Sequence, residues 1–249
     1  MRCAYSTNVG IKRKTNQDAY LVANLEKNGK ICYIFAVADG LGGHNSGEVA
    51  SEMTVEYLKK HIGEINDYQD HSTMKRLVND INWLLIESGH KNPFYNGMAT
   101  TLVLAIVIGD ELNLLNVGDS RAYKLNNNGM IQLTKDHSLV QALVDEGKLT
   151  SEQAKNHPQK NVITRALGTD DVIEVDLFYY SLVMGDRILL CSDGLYNMVP
   201  EEEIWHQVMN HTVEDATENL INIANANGGT DNITLIIFDA WEREHKNER

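Results

Sequence analysis

Six short stretches of the chain are almost continuously apolar. They are rich in valine, isoleucine, leucine and aromatic residues and are bounded by glycine, asparagine or aspartate, which is typical of β-strands. Continuous apolarity, in place of strict alternation, indicates sheets that are covered by other elements, and we expect helices there. The predicted strands are 19–25, 31–38, 100–108, 112–117, 187–192 and 233–238.

Three segments carry apolar residues at the spacing of one helix face. The first begins at about 45–46, where an asparagine and a serine are suitable N-caps. The second carries its stripe over 74–85, and the third covers about 213–226 and ends before a glycine pair. We interpret these apolar stripes as core packing.

The order of the predicted elements indicates the fold class. Two helices stand together between the second and third strands, and helices do not follow each strand in turn. This order argues against a doubly wound parallel sheet and predicts an α+β fold, with antiparallel sheets flanked by helices. The pattern leaves the order of the strands within the sheets open.

The composition, 43% hydrophobic and 23% charged, is that of a globular protein. With 249 residues, only three prolines and no serine- or proline-rich linker, the chain is predicted to form one domain. The formal net charge of −13 argues against nonspecific binding to nucleic acid or to an anionic membrane. An anionic substrate is still compatible with this charge, because bound divalent cations reverse it locally.

The sequence carries no export or membrane signal that we recognise. The first 18 residues lack the apolar core of a signal peptide, and the longest apolar run, at 102–108, is too short to span a bilayer. Of the three cysteines, Cys3, Cys32 and Cys191, the last two lie in predicted strands. We therefore expect reduced cysteines and a cytoplasmic protein.

Aspartates stand at the ends of the predicted strands, beside glycines that let the backbone approach a ligand closely. The set consists of Asp18, Asp39, Asp119, Asp193 and Asp231. A single Asp-Gly pair is equally well explained as a turn. If all five carboxylates converge, however, they would repel each other unless a cation neutralised them. Oxygen ligands without a histidine and cysteine set favour Mg²⁺ or Mn²⁺ over Zn²⁺.

Seven motifs resemble those of the metal-dependent protein phosphatases, the protein phosphatase 2C or PPM family. They occur in the family's order and span 13–238, and the chain length is typical of the compact bacterial type. The motifs are RKTNQDAY (13–20), VADGLGGH (37–44), GDSRAY (118–123), LTKDHS (133–138), ITRALG (163–168), LLCSDGLYNMV (189–199) and GGTDNIT (228–234).

The resemblance implies a four-layer α-β-β-α sandwich with two central antiparallel sheets. It also implies one catalytic domain over 1–240, a flap over about 138–168 beside the active site, and a charged C-terminal tail over 241–249. Within the flap we predict helices over about 138–146 and 151–156. Arg165, also in the flap, is either a structural residue or a contact for substrate.

The resemblance further implies a site for two core ions of Mn²⁺ or Mg²⁺ and a third, weaker ion. Asp39 would bridge the two core ions, assisted by the main-chain carbonyl of Gly40. The other implied ligands are Asp193 and Asp231 on the first ion, Asp18 on the second ion through water, and Asp119, with Asp193, on the third ion. Arg13 matches the arginine that grips the substrate phosphate, although taken alone it also fits a solvated basic cluster.

The implied activity is hydrolysis of phosphoserine and phosphothreonine in proteins by a metal-bridging hydroxide. The implied partners are phosphoprotein substrates and a bacterial Ser/Thr kinase that the enzyme opposes, and we expect a monomer that binds neither nucleic acid nor membrane. Two alternatives are a phosphatase dedicated to one regulatory or stress-signalling protein, and an inactive pseudophosphatase that only binds phosphoproteins.

The general acid is left open by the sequence. Animal-type members of the family have a histidine directly after the Asp-Gly pair, and Leu41 stands there in this chain. His44, the nearest histidine, is our candidate for the acid; another histidine or a metal-bound water would also serve. A cysteine phosphatase is excluded, because Val9, Ala38 and Asn197 stand where an arginine should follow the three cysteines.

Overall fold

The computed structural model describes residues 1–43 and 46–240. The strands in this range are β1 Cys3–Asn8, β2 Asp18–Lys27, β3 Lys30–Leu41, β4 Ala99–Thr100, β5 Leu102–Ile108, β6 Glu111–Val117, β7 Arg121–Asn126, β8 Gly129–Gln132, β9 Asp176–Ser181, β10 Arg187–Cys191 and β11 Ile233–Asp239. The α-helices are α1 Ser46–His61, α2 His71–Lys91, α3 Leu139–Asp145, α4 Ser151–Lys155, α5 Asp193–Tyr196, α6 Glu201–Asn210 and α7 Val213–Ala226.

The strands form two antiparallel sheets. The first sheet has the order β1-β11-β10-β7-β8, and the second has the order β2-β3-β5-β6-β9, with the short β4 paired to the end of β3. Strands that are distant in sequence therefore lie side by side, since β1 pairs with β11 and β7 pairs with β10. The sequence pattern had left this order open.

The two sheets pack face to face, and helices cover both outer faces. In β3 the side chains of Ile34 and Ala36 pack with α1 and α2, whereas Phe35 and Val37 point to the other sheet. On the far side, β10 and β11 pack against α6 and α7 in the same alternating manner. Both faces of these strands are thus buried, which explains their continuous apolarity and confirms the predicted α-β-β-α sandwich.

Several elements were missed in the sequence pattern. The strands β1, β7, β8 and β9 contain polar and partly exposed positions, so they lack the continuous apolarity of the predicted strands. Three of them, β1, β8 and β9, lie at sheet edges. The run at 100–108 is split between β4 and β5 at Thr101. Helix α6 begins with three glutamates and buries only Ile204 and Val208, so its apolar stripe is narrow.

The cysteines agree with the expectation of reduced core residues. All three are free, Cys32 and Cys191 are buried, and Cys3 is partly buried. Among the described residues, no helix is both long and apolar enough to cross a membrane. The predicted tail over 241–249 lies outside the described range.

The packing between the sheets predicts a large cost for Phe238→Ala. The Phe238 ring is fully buried and stacks on Phe35 with ring centroids 4.1 Å apart. Removing it should lower the free energy of unfolding by about 3–5 kcal/mol, because the cavity cannot collapse between two sheets. Urea denaturation measures this cost. Phe94→Ala, at a side chain that is 88% exposed, is the matched control and should change stability by less than about 0.5 kcal/mol; equal costs would contradict the predicted packing.

Candidate metal centre and phosphate site

Five aspartates meet at one end of the two sheets. Asp18 opens β2 and is the direct partner of Asp39 near the end of β3. Asp193 follows β10 and Asp231 precedes β11, and because these neighbouring strands are antiparallel, the two residues lie at the same end. Asp119 lies in the connection between β6 and β7, which crosses from one sheet to the other. The register of both sheets therefore brings the predicted carboxylates together.

A cleft of about 230 Å³ opens at this end of the sandwich. Its lining residues are Arg13, Gln17, Asp39, Gly40, Leu41, Gly42, Asp119, Asn161, Ile163, Asp193, Asp231 and Asn232. Asp18 does not line the cleft. It is buried, and its Oδ2 accepts a hydrogen bond of 2.7 Å from Ser192 Oγ.

In this arrangement, burial and mutual repulsion disfavour the charged forms of the site aspartates. Burial, and then the charges of the other site aspartates, raise the pKa of Asp39 and of Asp193 well above the usual range. Burial also raises the pKa of Asp18 to about 6 and that of Asp119 to about 7. The Oδ1 atoms of Asp18, Asp119 and Asp193 are buried and accept no hydrogen bond from any residue that the structure describes.

These features fit a divalent cation. The site offers oxygen ligands, some of them buried and without a hydrogen bond from the part of the chain that the structure describes, and a repulsion that positive charge would relieve. Within 1–43 and 46–240, no group of three or more aspartate, glutamate, histidine or cysteine side chains is arranged to hold a metal ion. Mg²⁺ is commonly held by only one or two carboxylates and keeps several waters. The fit therefore rests on the donor chemistry and the orphaned oxygens, and it suits Mn²⁺ or Mg²⁺.

Arg13 is held at the rim of the cleft. Its guanidinium is half exposed, and Nη2 donates a hydrogen bond of 2.7 Å to Asp231 Oδ2. This hydrogen bond and the nearby carboxylates raise the pKa of Arg13. The side chain is therefore a permanent cation beside the acidic cleft, placed where an anion would enter.

Asn232, which the sequence analysis did not single out, fixes the loop that carries Arg13. Its Oδ1 accepts from the Gln17 N–H at 2.8 Å. Its Nδ2 donates to the carbonyls of Val9 and Thr15 at 2.9 and 3.0 Å. One side chain thus holds the loop at both ends. Its place directly after Asp231 in the GGTDNIT motif was the available signal.

The backbone around Asp39 is equally well fixed. Thr101 Oγ1 accepts from the Asp39 N–H at 2.9 Å, and the Thr101 N–H donates to the Asp39 carbonyl at 2.9 Å. Glycine is required at the next position, because a Cβ on Gly40 would lie 2.1 Å from the carbonyl oxygen of Gly47. Thr101 was also missed in the sequence, since its partner is 62 residues away.

A mostly buried cation, Arg121, supports the backbone at Asp119 through Tyr196. Arg121 makes hydrogen bonds of 2.6–3.1 Å to both carboxylate oxygens of Asp136, and its guanidinium stacks on the Tyr196 ring at 3.6 Å. The Tyr196 hydroxyl donates to the Asp119 carbonyl at 3.1 Å. These residues lie inside the recognised motifs, but their pairing depends on the fold.

The flap contains the two predicted helices, α3 and α4, and brings Asn161 and Ile163 to the cleft. Arg165 does not line the cleft; its guanidinium pairs with Asp176 at 2.9 Å and with Glu174 at 3.3 Å. These contacts favour the structural interpretation of Arg165. The candidate acid His44 lies outside the described residues.

The sandwich and the acidic cleft define a class, the metal-dependent protein serine/threonine phosphatases. The chain belongs to the protein phosphatase 2C family, whose sequence profile matches residues 11–230. A curated relative, the serine/threonine phosphatase Stp of Listeria innocua, is 38% identical over 245 residues, which cover 96% of both chains.

Solved structures give the same assignment. The serine/threonine phosphatase Stp1 of Staphylococcus aureus is 36% identical and superposes with a TM-score of 0.87, covering 97% of this chain and 95% of that one. The catalytic domain of the phosphatase PstP, solved in complex with two manganese ions, is 33% identical with a TM-score of 0.83, covering 96% and 97%.

The raised pKa values predict how the metal-free protein responds to pH. The pKa values of Asp18 and Asp119, about 6 and about 7 in the fold, exceed the value of about 3.9 for an unfolded aspartate. Between about pH 4 and 7 the folded state therefore binds more protons than the unfolded state, so the free energy of unfolding falls as the pH rises. Denaturant unfolding in chelator at pH 5 and pH 8 measures this change.

Asp119→Asn should flatten this pH dependence, because the amide does not titrate, and saturating Mn²⁺ should flatten it as well. Asp110→Asn, at an exposed turn between β5 and β6, is the control and should leave the slope as it is. Identical slopes in the wild type and in Asp119→Asn would show that Asp119 does not titrate in this window.

Proposed function

We propose that this chain is a metal-dependent phosphatase that hydrolyses the phosphate monoesters of phosphoserine and phosphothreonine in proteins. The observation that carries this proposal is a cleft in which carboxylate oxygens lie beside a fixed arginine. Some of these oxygens are buried and accept no hydrogen bond from any described residue. The names of the relatives, which are serine/threonine phosphatases, support the same substrate class.

Mn²⁺ and Mg²⁺ are the proposed cofactors, and the two manganese ions in the PstP complex support this choice. We assign the core ions to Asp39, the Gly40 carbonyl, Asp193 and Asp231, with Asp18 acting through water and Asp119 on a third ion. The chemistry that bound ions supply is activation of water near neutral pH and neutralisation of phosphate charge. This help is needed because phosphate monoesters are among the most slowly hydrolysed biological compounds.

The protein's own groups bind and orient the phosphate. The planar guanidinium of Arg13 fits two phosphate oxygens at once, and Asn232 keeps its loop in place. Without cations the carboxylates would repel a phosphate, so the acidic cleft makes phosphate binding depend on metal. Asn161 and Ile163 of the flap also line the cleft, and we propose that they contact residues that flank the phosphoserine.

Other parts of the function remain predictions. The opposing Ser/Thr kinase is implied by the resemblance to the family, and the cytoplasmic location is predicted from the sequence. The monomeric state, and His44 as the acid that protonates the leaving oxygen, are also predictions. The pseudophosphatase and the single-target phosphatase are not favoured by the relatives, which are named as serine/threonine phosphatases.

The test of the proposed function is turnover of a phosphoserine peptide. Release of phosphate should require Mn²⁺ or Mg²⁺ and should stop in excess chelator, then return when Mn²⁺ is added back. A protein that binds the phosphopeptide but releases no phosphate under any of these conditions would be a pseudophosphatase, and the proposal would be wrong.

Asp39→Ala, Asp193→Ala and Asp231→Ala should each lower kcat/KM by more than about 10³-fold, because each removes a proposed ion ligand. In chelator, the melting temperature of the Asp39 and Asp193 variants should hold or rise, because deletion relieves the repulsion that raises the pKa of both. Asp110→Ala, outside the cleft, should change neither quantity. Full activity in any one of the three cleft variants would remove that residue from the proposed site.

Asp119→Ala should separate a weaker ion from the core pair. We expect kcat to fall while calorimetry still detects two tightly bound Mn²⁺ ions, since Asp119 lies on the connection between β6 and β7, apart from the paired strand ends that hold the other carboxylates. Loss of both tight ions in this variant would instead place Asp119 among the core ligands.

A further inference from the structure

We propose that His137 is a positioning residue for Asp119. Its imidazole holds the N–H of Gly118, the residue directly before Asp119, and its backbone N–H holds the Gly118 carbonyl. Together these contacts set the direction in which the Asp119 carboxylate points. No role is assigned to His137 by the proposed function. The inference deepens that function, because it rests on Asp119 as an ion ligand.

His137 holds both polar backbone groups of Gly118. The imidazole Nδ1 accepts a hydrogen bond of 3.0 Å from the Gly118 N–H, and the His137 N–H donates to the Gly118 carbonyl at 2.9 Å. Gly118 adopts φ +105, in the region that favours glycine, and a Cβ there would lie 2.6 Å from Thr101. The backbone at Gly118 is therefore restricted to a narrow range of conformations, and the two hydrogen bonds with His137 hold it there.

The direction of the Asp119 carboxylate depends on the backbone, because the Asp119 N–H itself donates a hydrogen bond to this carboxylate. Its Oδ1 is buried and accepts no hydrogen bond from the residues that the structure describes. Beyond the turn, the Asp119 carbonyl is held by the Tyr196 hydroxyl at 3.1 Å. The backbone is thus fixed on both sides of the Asp119 Cα, by His137 and by Tyr196, and the carboxylate direction follows from the backbone.

The backbone of His137 is itself fixed by the flap. Its carbonyl accepts from the Thr164 N–H at 2.8 Å, and the next residue, Ser138, forms a bridge with Ile163. The entry and the exit of the flap are therefore joined at His137. Because the backbone of His137 is fixed in this way, its imidazole is held rigidly against Gly118.

The contacts of the two ring nitrogens determine which of them carries the proton. Because Nδ1 accepts from Gly118, the proton of the neutral imidazole lies on Nε2, 3.3 Å from Asp176 Oδ2. Arg165 Nη1 also lies 2.8 Å from Nε2, but a guanidinium only donates, so with the proton on Nε2 this contact is not a hydrogen bond; Nη1 donates instead to Asp176 Oδ1 at 2.9 Å. Burial and the charge of Arg165 lower the pKa of His137, which favours the neutral ring that this pattern needs.

Two amide replacements separate the two sides of the ring. In His137→Asn the side-chain oxygen stands near the position of Nδ1 and retains an acceptor for Gly118. In His137→Gln the amide stands near the position of Nε2 and retains only the Asp176 side. A merely structural role, such as filling the space, would be served at least as well by glutamine, which is the larger of the two.

Hydrogen exchange of the Gly118 amide in the metal-free protein is the first measurement. We expect exchange to accelerate by at least about tenfold in His137→Ala and His137→Gln, and to stay close to wild type in His137→Asn, because only asparagine keeps the acceptor. His90→Ala, at an exposed histidine near the end of α2, is the control and should leave Gly118 unchanged.

Mn²⁺ calorimetry and kinetics are the second measurement. His137→Gln should weaken the weakest Mn²⁺ site by about 10–100-fold and lower kcat, while KM for a phosphopeptide and the two tight sites are retained. His137→Asn should restore both the affinity of the weakest site and kcat.

Equal behaviour of the asparagine and glutamine variants in exchange and in calorimetry would overturn the proposal. If His137→Ala fails to fold, this pair decides alone. Gly118 exchange that follows the predicted order in a protein without phosphatase activity would refute the proposed function and leave the positioning of Asp119 intact.

Discussion

Mutual repulsion among carboxylates is the constraint around which this molecule is arranged. Asp18 and Asp39 are direct neighbours across two strands, and the charges of Asp18, Asp119, Asp193 and Asp231 all raise the pKa of Asp39. In a flexible loop such groups would separate or become protonated. Here they are fixed by strand register, by Thr101 behind Asp39 and by Ser192 behind Asp18. The fold therefore stores an unfavourable charge arrangement that a bound cation would relieve.

The two sheets share the site between them, so its geometry depends on how they pack. The first sheet supplies the strand ends that carry Asp193 and Asp231, and the second sheet supplies Asp18 and Asp39. Asp119 lies on a connection that passes from one sheet to the other. The buried layer between the sheets, with Phe35 stacked on Phe238, consequently helps to set the geometry of the candidate site, although it is far from solvent.

Sequence patterns predicted the parts of this structure that depend on residues close together in the sequence. The strands β3 and β11 are apolar on both faces, and the aspartates stand visibly at strand ends, so the sandwich and the acidic cleft could both be anticipated. Asn232 and Thr101 could not be recognised in the same way, because their partners lie 215 and 62 residues away in the chain. The edge strand β1 was also missed, since half of its positions are polar.

The position of β11 in the first sheet has a consequence for synthesis of the protein. This strand, the last that the structure describes, lies between β1 and β10, so β1 has no partner in its sheet until residues 233–239 have left the ribosome. Asn232, which ties down the loop with Arg13, arrives at the same time. Pairing of such distant segments is slow and comes late in folding. A nascent chain that stops short of Asn232 and β11 therefore has no complete candidate phosphate site. The position of β11 in the sheet thus keeps the fragment on the ribosome inactive until this strand has been synthesised.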